Sequence, residues 1–231
     1  MDTDNTCSLV EAASAGRLGK LEELLATESS PTEEAVQSLL AAAAWNSQLS
    51  TVNLLLSKYP AIPIDEETIR AAIYSGSVEL FSALLSRGPS IVKRQFDRRG
   101  TPIAVACMSK QPVSFLEFLL KAGADPNQDP DTAPFPMASV AAFYEDTAAA
   151  ELLLKYNAKL VHSGALAAAA GRGNEVMVRY LIEQGARLET DCTEVGKQET
   201  AVEVAARKGH AGVVKILLEH TQEARGKTAT V

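Results

Sequence analysis

Apolar positions along this chain come in pairs, and the pairs keep a fixed distance. A pair of small residues is followed by a pair of large apolar ones, the first large residue lying eleven positions after the second small one. Six copies keep that spacing. They are Ala12-Ala13 with Leu24-Leu25, Ala43-Ala44 with Leu55-Leu56, Ala72-Ile73 with Leu84-Leu85, Ala141-Ala142 with Leu153-Leu154, Ala169-Ala170 with Leu181-Ile182, and Ala205-Ala206 with Leu217-Leu218. A seventh copy, Ala106-Cys107 with Leu119-Leu120, carries one extra residue between its pairs. The large pairs follow one another at 31, 29, 35, 34, 28 and 36 residues, so the chain is an array of units near 33 residues. Fixed periods of this size mark a solenoid, in which no unit buries its own apolar face and stacking builds the core.

Within a unit the pattern predicts helix, short turn, helix, loop. In the last copy Val202, Val204, Ala205 and Ala206 give the first helix a small apolar face, and Val213, Val214, Leu217 and Leu218 recur at helical spacing along the second. Glycine stands in the turn between them as Gly16, Gly76, Gly173 and Gly209, which suits a connection needing positive φ. The extra residue of the fourth copy predicts an enlarged turn over Ser109–Pro112. Three prolines stiffen the stretch from Asn127 to Pro136 and keep it from being helical. The expected organisation is a tail over residues 1–8, a single repeat domain over 9–220, and a flexible tail over 221–231 that has no apolar periodicity. Val213, Val214 and Ile216 of the last copy are expected to be partly bare unless that tail or another subunit covers them.

Composition narrows the function classes. Apolar residues make up 46% of the chain, but much of that is alanine and only 5% is aromatic, as expected where helices approach closely. A net charge of -7 argues against duplex nucleic acid, which needs a basic face to neutralise phosphates. No apolar run approaches the roughly 18 residues that read as a membrane span, and the N-terminal sequence is not a signal peptide. Cys7, Cys107 and Cys192 are odd in number and fall in different units, which points to reduced thiols in a cytoplasmic or nuclear protein.

Particular residues carry a family resemblance. Thr101-Pro102-Ile103-Ala104-Val105-Ala106 and the run from Thr200 to His210 resemble the Thr-Pro-Leu-His-x-Ala-Ala and Gly-His elements of the ankyrin repeat. Gly123-Ala124-Asp125-Pro126-Asn127 is similar to the family's loop, and residues 97–100 to its hairpin tip. The resemblance runs from about Leu9 to His220 through units of differing fidelity. It implies an all-α ankyrin-repeat solenoid of helix-turn-helix units, with first helices lining a concave groove, and a non-catalytic module that binds a protein or peptide there. It also implies that the residues after each alanine pair, together with the hairpin tips, meet the partner.

Those positions hold four of the twelve aromatics: Trp45, Tyr74, Phe143 and Tyr144. Trp45 and Tyr74 sit in neighbouring units, where helices about 8–10 Å apart bring rings into one surface. Asn46 and Met108 complete the expected aromatic-lined groove, Arg98, Arg99 and Phe135 rim it, and Arg172, Arg207 and Lys208 make its C-terminal end basic, suiting a partner with an acidic end. Exposed apolar surface marks binding sites. The competing reading is that the rings fill gaps between alanine-rich units.

Other motifs carry less. Gly171-Arg172-Gly173 follows an alanine helix where a dinucleotide-binding turn needs a strand. The three histidines lack Cys or His partners at ligand spacing, so neither metal nor cofactor is expected, and His210 is expected to be a structural hydrogen-bonding residue. Asp65, Glu66 and Glu67 are expected to open a helix, where carboxylates complement the dipole. A second function class remains, a cofactor-independent isomerase or cyclase acting on an apolar small molecule in the same groove. Its candidate acid/base residues are His162, Asp97, Tyr74 and Tyr144, with Arg98 stabilising charge. An open trough favours a peptide; an enclosed cavity holding one of those groups favours chemistry.

Overall fold

The computed structural model describes residues 3–27, 31–97, 99–128, 135–187 and 199–228. Most of the proline-rich stretch before Pro136, and Cys192, lie outside the described residues. The described residues form fourteen α-helices and a short 3-10 helix, Pro89–Lys93, with no extended strand. They divide into two compact units, residues 1–96 with 121–123, and residues 97–120 with 124–231.

The first unit holds α1 (Thr3–Ser14), α2 (Leu18–Thr27), α3 (Glu33–Trp45), α4 (Leu49–Lys58), α5 (Glu66–Ser75) and α6 (Val78–Leu85). Side-chain caps set where its helices begin. Thr32 accepts from the Ala35 N–H at α3, Asp65 from the Thr68 N–H at α5, and Ser77 from the Leu80 N–H at α6. The first helices α1, α3 and α5 pack side by side, and each second helix packs on its own hairpin partner. Buried alanines (Ala13, Ala43, Ala44, Ala72) let those first helices approach.

The second unit holds α7 (Pro102–Met108), α8 (Val113–Lys121, whose last residue belongs to the first unit), α9 (Pro136–Phe143), α10 (Ala148–Lys155), α11 (Ala165–Arg172), α12 (Glu175–Glu183), α13 (Ala201–Lys208) and α14 (Ala211–Thr228). Here α7, α9, α11 and α13 form the row of first helices. Proline opens α7 and α9, where the first helical N–H has no intrahelical partner. Thr200 and Glu203 cap α13 reciprocally.

From the second copy onward the first member of each large apolar pair is buried, while the second is buried at Leu56 and Leu120 and half-buried at Leu85, Leu154 and Ile182; the first and last copies differ further. In the first copy Leu21 and Leu25 are buried and Leu24 is half-buried, a small rotation of α2 relative to the pattern. In the last copy Leu217 is buried but Leu218 is 47% exposed; of the three residues expected to be partly bare, Val213 and Ile216 are buried and Val214 is half-buried. The turns follow the glycine rule: Gly16, Gly76, Gly173 and Gly209 all have φ between 64° and 80°. Where glycine is missing, Ser47 and Lys110 take the same left-handed conformation at φ 56° and 54°. The extra residue of the fourth copy lies in the four-residue connection Ser109–Pro112.

Helix extends into the segments read as tails. Helix α1 already begins at Thr3, and α14 continues to Thr228. Gln222, Glu223, Ala224 and Arg225 are strong helix formers, so helix continues past the end of the apolar periodicity.

Candidate binding site

On α5, Glu67, Arg70 and Tyr74 fall at i, i+3 and i+7, which puts them on one helix face. That face meets Trp45, the last residue of α3. The indole and phenol rings stack with centroids 5.3 Å apart and planes 18° from parallel. The indole Nε1 donates to Glu67 Oε1 at 2.8 Å, and Arg70 Nη1 donates to Glu67 Oε2 at 3.2 Å. Trp45 is thus held in place, yet it stays 44% exposed and Tyr74 37%. An open depression of about 450 Å³ adjoins the indole, bordered by Glu34, Ser38, Asp65 and Glu67. Asn46 is exposed, and its Nδ2 donates to Ala42 O at 2.9 Å, closing the C-terminus of α3.

The second unit carries another exposed ring. Phe143, at the end of α9, is 40% exposed, and the Arg172 guanidinium carbon lies 5.1 Å above its centroid. The position on α11 one period from Phe143 is Gly171, whose missing Cβ would sit 3.0 Å from Val204 Cγ1. Arg172 therefore covers the ring from the next position. Arg207 Nη2 donates to Glu199 Oε2 at 2.7 Å, and Lys208 is exposed. Met108 and Phe135 are half-buried and Arg99 is exposed, while Arg98 lies outside the described residues.

Tyr144 is not the exposed groove residue expected of it. At Tyr144 the backbone leaves α9 in an extended conformation, φ −94° and ψ 144°, and the ring becomes buried at 8% exposure. Its hydroxyl donates to Gln111 O at 2.6 Å, and Asn174 Nδ2 donates to Tyr144 O at 3.1 Å. Burial, with the nearby Cys107 thiol, pushes the phenol well above its ordinary range. Burial also raises Cys107. A phenol so held is neutral and already donating to the main chain, a poor general base.

The remaining proposed acid/base groups are not gathered into either described depression. Tyr74 belongs to the first unit, and Asp97, Tyr144 and His162 to the second. Asp97 and His162 are exposed, the latter at φ 61° in the loop before α11. His210 acts structurally, with Nε2 3.2 Å from Gly171 O and its ring against the Gly173 turn. Asp65 caps α5 as expected. Among the described residues no group of three His, Cys, Asp or Glu could hold a metal, and no helix is long and apolar enough to cross a membrane.

The residues that sequence reasoning missed are Glu67 and Arg70, which brace the stack, and Gln111, which receives Tyr144. Glu67 was legible: it lies two helical turns before Tyr74 on the same face. Gln111 gave no signal, because its main chain makes the contact.

Comparison with known proteins bears on the fold. The family model of ankyrin repeats (3 copies) matches residues 138–228. The human ASB11 ankyrin repeat domain superposes with a TM-score of 0.71 at 23% identity, covering 92% of this chain and 96% of that one. The ankyrin repeat domain of Bcl-3, described as a unique member of the IkappaB family, gives 0.65 at 22% identity, covering 91% and 97%. Among curated proteins none matches in sequence. The family model thus finds ankyrin repeats in residues 138–228, and the likeness to both solved domains, with the helix-turn-helix units described above, gives the chain the ankyrin-repeat fold.

Proposed function

We propose that this chain is a non-catalytic protein-binding module that receives a partner segment on the exposed face of its first helices, with the Trp45–Tyr74 pair as anchor. Ankyrin-repeat domains are in general protein-binding modules. The observation that carries the reading is Trp45, fixed by a ring on one side and a carboxylate on its N–H, yet 44% exposed beside an open depression. A ring ordered before binding loses little conformational entropy on contact, and aromatic anchors of this kind dominate interface energetics. An open depression walled by carboxylates and an indole suits a protruding partner side chain and leaves a small molecule in contact with water.

The test compares the full chain with Trp45→Ala and Tyr74→Ala. Partners captured by the full chain are purified and titrated against each chain by calorimetry. Loss of the anchor should weaken a true partner by about 2 kcal/mol or more, with the thermal midpoint little changed. Partners that bind both variants as tightly as the native chain would refute the reading. A large drop in stability from Trp45→Ala would instead support packing between units as its role.

A further inference from the structure

Two depressions flank α3, and their chemistry differs. The one toward α5 is the open depression of about 450 Å³, bordered by Trp45 and the carboxylates of Glu34, Asp65 and Glu67. The one toward α1 is smaller, about 140 Å³, and walled by Leu9, Val10, Pro31, Ala35 and Leu39. Glu34 and Ser38 border both, so the two adjoin across α3.

Resting on the reading above, we propose that this pair of depressions takes one segment of a partner protein that carries a cationic side chain, arginine or lysine, about three residues from an apolar one. The cation enters the α5 side and the apolar group the α1 side.

Charge complementarity assigns the first half. No lysine or arginine borders the larger depression, which holds three carboxylates. Glu67 is engaged by Trp45 and Arg70, and Asp65 uses Oδ1 to cap α5. The Glu34 carboxylate has no hydrogen-bond or ion-pair partner among the described residues. The N-terminal ends of α3 and α5 offset part of this negative charge, but they do not supply a donor beside the indole. The indole adds its own preference: Tyr74 and Glu67 fix the ring, and an aromatic face attracts a cation. A guanidinium meets both demands at once, stacking on the ring while donating to a carboxylate. The second half follows from the lining of the smaller depression, which is mainly apolar apart from Thr6, Glu34 and Ser38 and includes the buried Leu9 and Leu39. The spacing follows from α3 itself. A helix is about 10 Å across with its side chains, and extended chain covers roughly 3.3–3.6 Å per residue, so about three residues bridge its two flanks.

The probe is a display library of random dodecapeptides, selected on the full-length chain and then titrated as synthetic peptides. Binders that lose affinity at least about tenfold with Trp45→Ala should carry arginine or lysine about three residues from an aliphatic residue. Their binding should weaken with added salt, by about tenfold with Glu34→Lys, and in the same direction with the milder Glu34→Gln. Val10→Asp should weaken them by removing the apolar contact, and replacing the peptide's aliphatic residue should then cost little more. Melting curves of each variant establish that it is folded. Trp45-dependent peptides that carry no cation, or that bind Glu34→Lys and Glu34→Gln as well as the native chain, would overturn this inference and leave the binding-module reading standing. Selection of no Trp45-dependent peptide would overturn both.

Discussion

Tyr144→Phe removes a single hydroxyl from a buried ring, and the structure gives that hydroxyl one main-chain partner, Gln111 O at 2.6 Å. Replacing it leaves a carbonyl in a buried turn without its donor, which costs about 1–3 kcal/mol. Tyr144→Ala also removes the ring and should cost about 3–5 kcal/mol, as for other buried aromatics. Alkaline pH gives a second handle. Burial raises the phenol above the value of about 10 that it takes in an unfolded chain. Because the folded value is the higher one, the contribution is complete below about pH 10 and is lost as pH climbs from there toward the folded value. Cys107 is raised in the same sense, and its contribution starts to fall near pH 8.5, the thiol's unfolded value. The comparison is therefore made in a Cys107→Ala background, with urea melts of the Tyr144→Phe chain and its tyrosine parent at about pH 7 and about pH 10.5. The tyrosine chain should be more stable at neutral pH, and the gap should narrow at the alkaline one. Equal stability at neutral pH with parallel pH profiles would refute both the hydrogen bond and the burial.

Core, turn and thiol chemistry give further tests. Leu119→Ala should cost about 2–5 kcal/mol, since the side chain is fully buried, and more than Leu25→Ala near the chain's start, where each unit has fewer neighbours; denaturant melts that rank them the other way would contradict nearest-neighbour stacking. Ser47→Gly should raise stability by up to about 1 kcal/mol in the same melts, because glycine takes the left-handed conformation at φ 56° without a Cβ clash. Of the two described cysteines, exposed Cys7 should alkylate rapidly at neutral pH while buried Cys107 should react only on unfolding, which mass spectrometry of timed samples reads directly.

The repeat was legible because each structural demand leaves a residue type behind. Close helix contact calls for alanine at Ala43-Ala44 and Ala169-Ala170, a left-handed turn calls for glycine at Gly76 and Gly173, and burial calls for leucine at Leu55 and Leu181. The candidate face was legible to the extent that it repeats at the same positions, which put Trp45 beside Tyr74. Tyr144 shows where that stops. It occupies an equivalent position by spacing, but its turn takes an extended backbone conformation, and burial of a phenol against a main-chain carbonyl has no counterpart in side-chain periodicity. The acidic border of the α5-side depression was hidden for another reason: carboxylates at helix starts already have an explanation in capping and the dipole, and only their position beside the indole gives them a second one.

Polar ties one period long explain how so regular a face arises from such uneven copies. Alanine surfaces bury little area per residue and fix the register of neighbouring hairpins weakly. Within the first unit, Arg87 donates to Leu56 O at 2.6 Å and also to Pro60 O, and Arg94 donates to Ile64 O at 2.9 Å, across 31 residues from Arg87 to Leu56 and 30 from Arg94 to Ile64. Within the second, Asn127 donates to Asn157 O at 2.9 Å and accepts from Lys159 N at 2.8 Å, while Asn174 and His210 reach back to Tyr144 O and Gly171 O. Each tie joins a side chain to the main chain of the preceding or following copy, so it sets register whatever side chain stands at the receiving position. That is why copies can lose the Thr-Pro or Gly-His elements and still align their first helices. Trp45 and Tyr74 are 29 residues apart, the same interval as Leu55 and Leu84. Their stack is therefore a consequence of the repeat register, and any change that shifts α5 along α3 should separate the rings before it unfolds the unit.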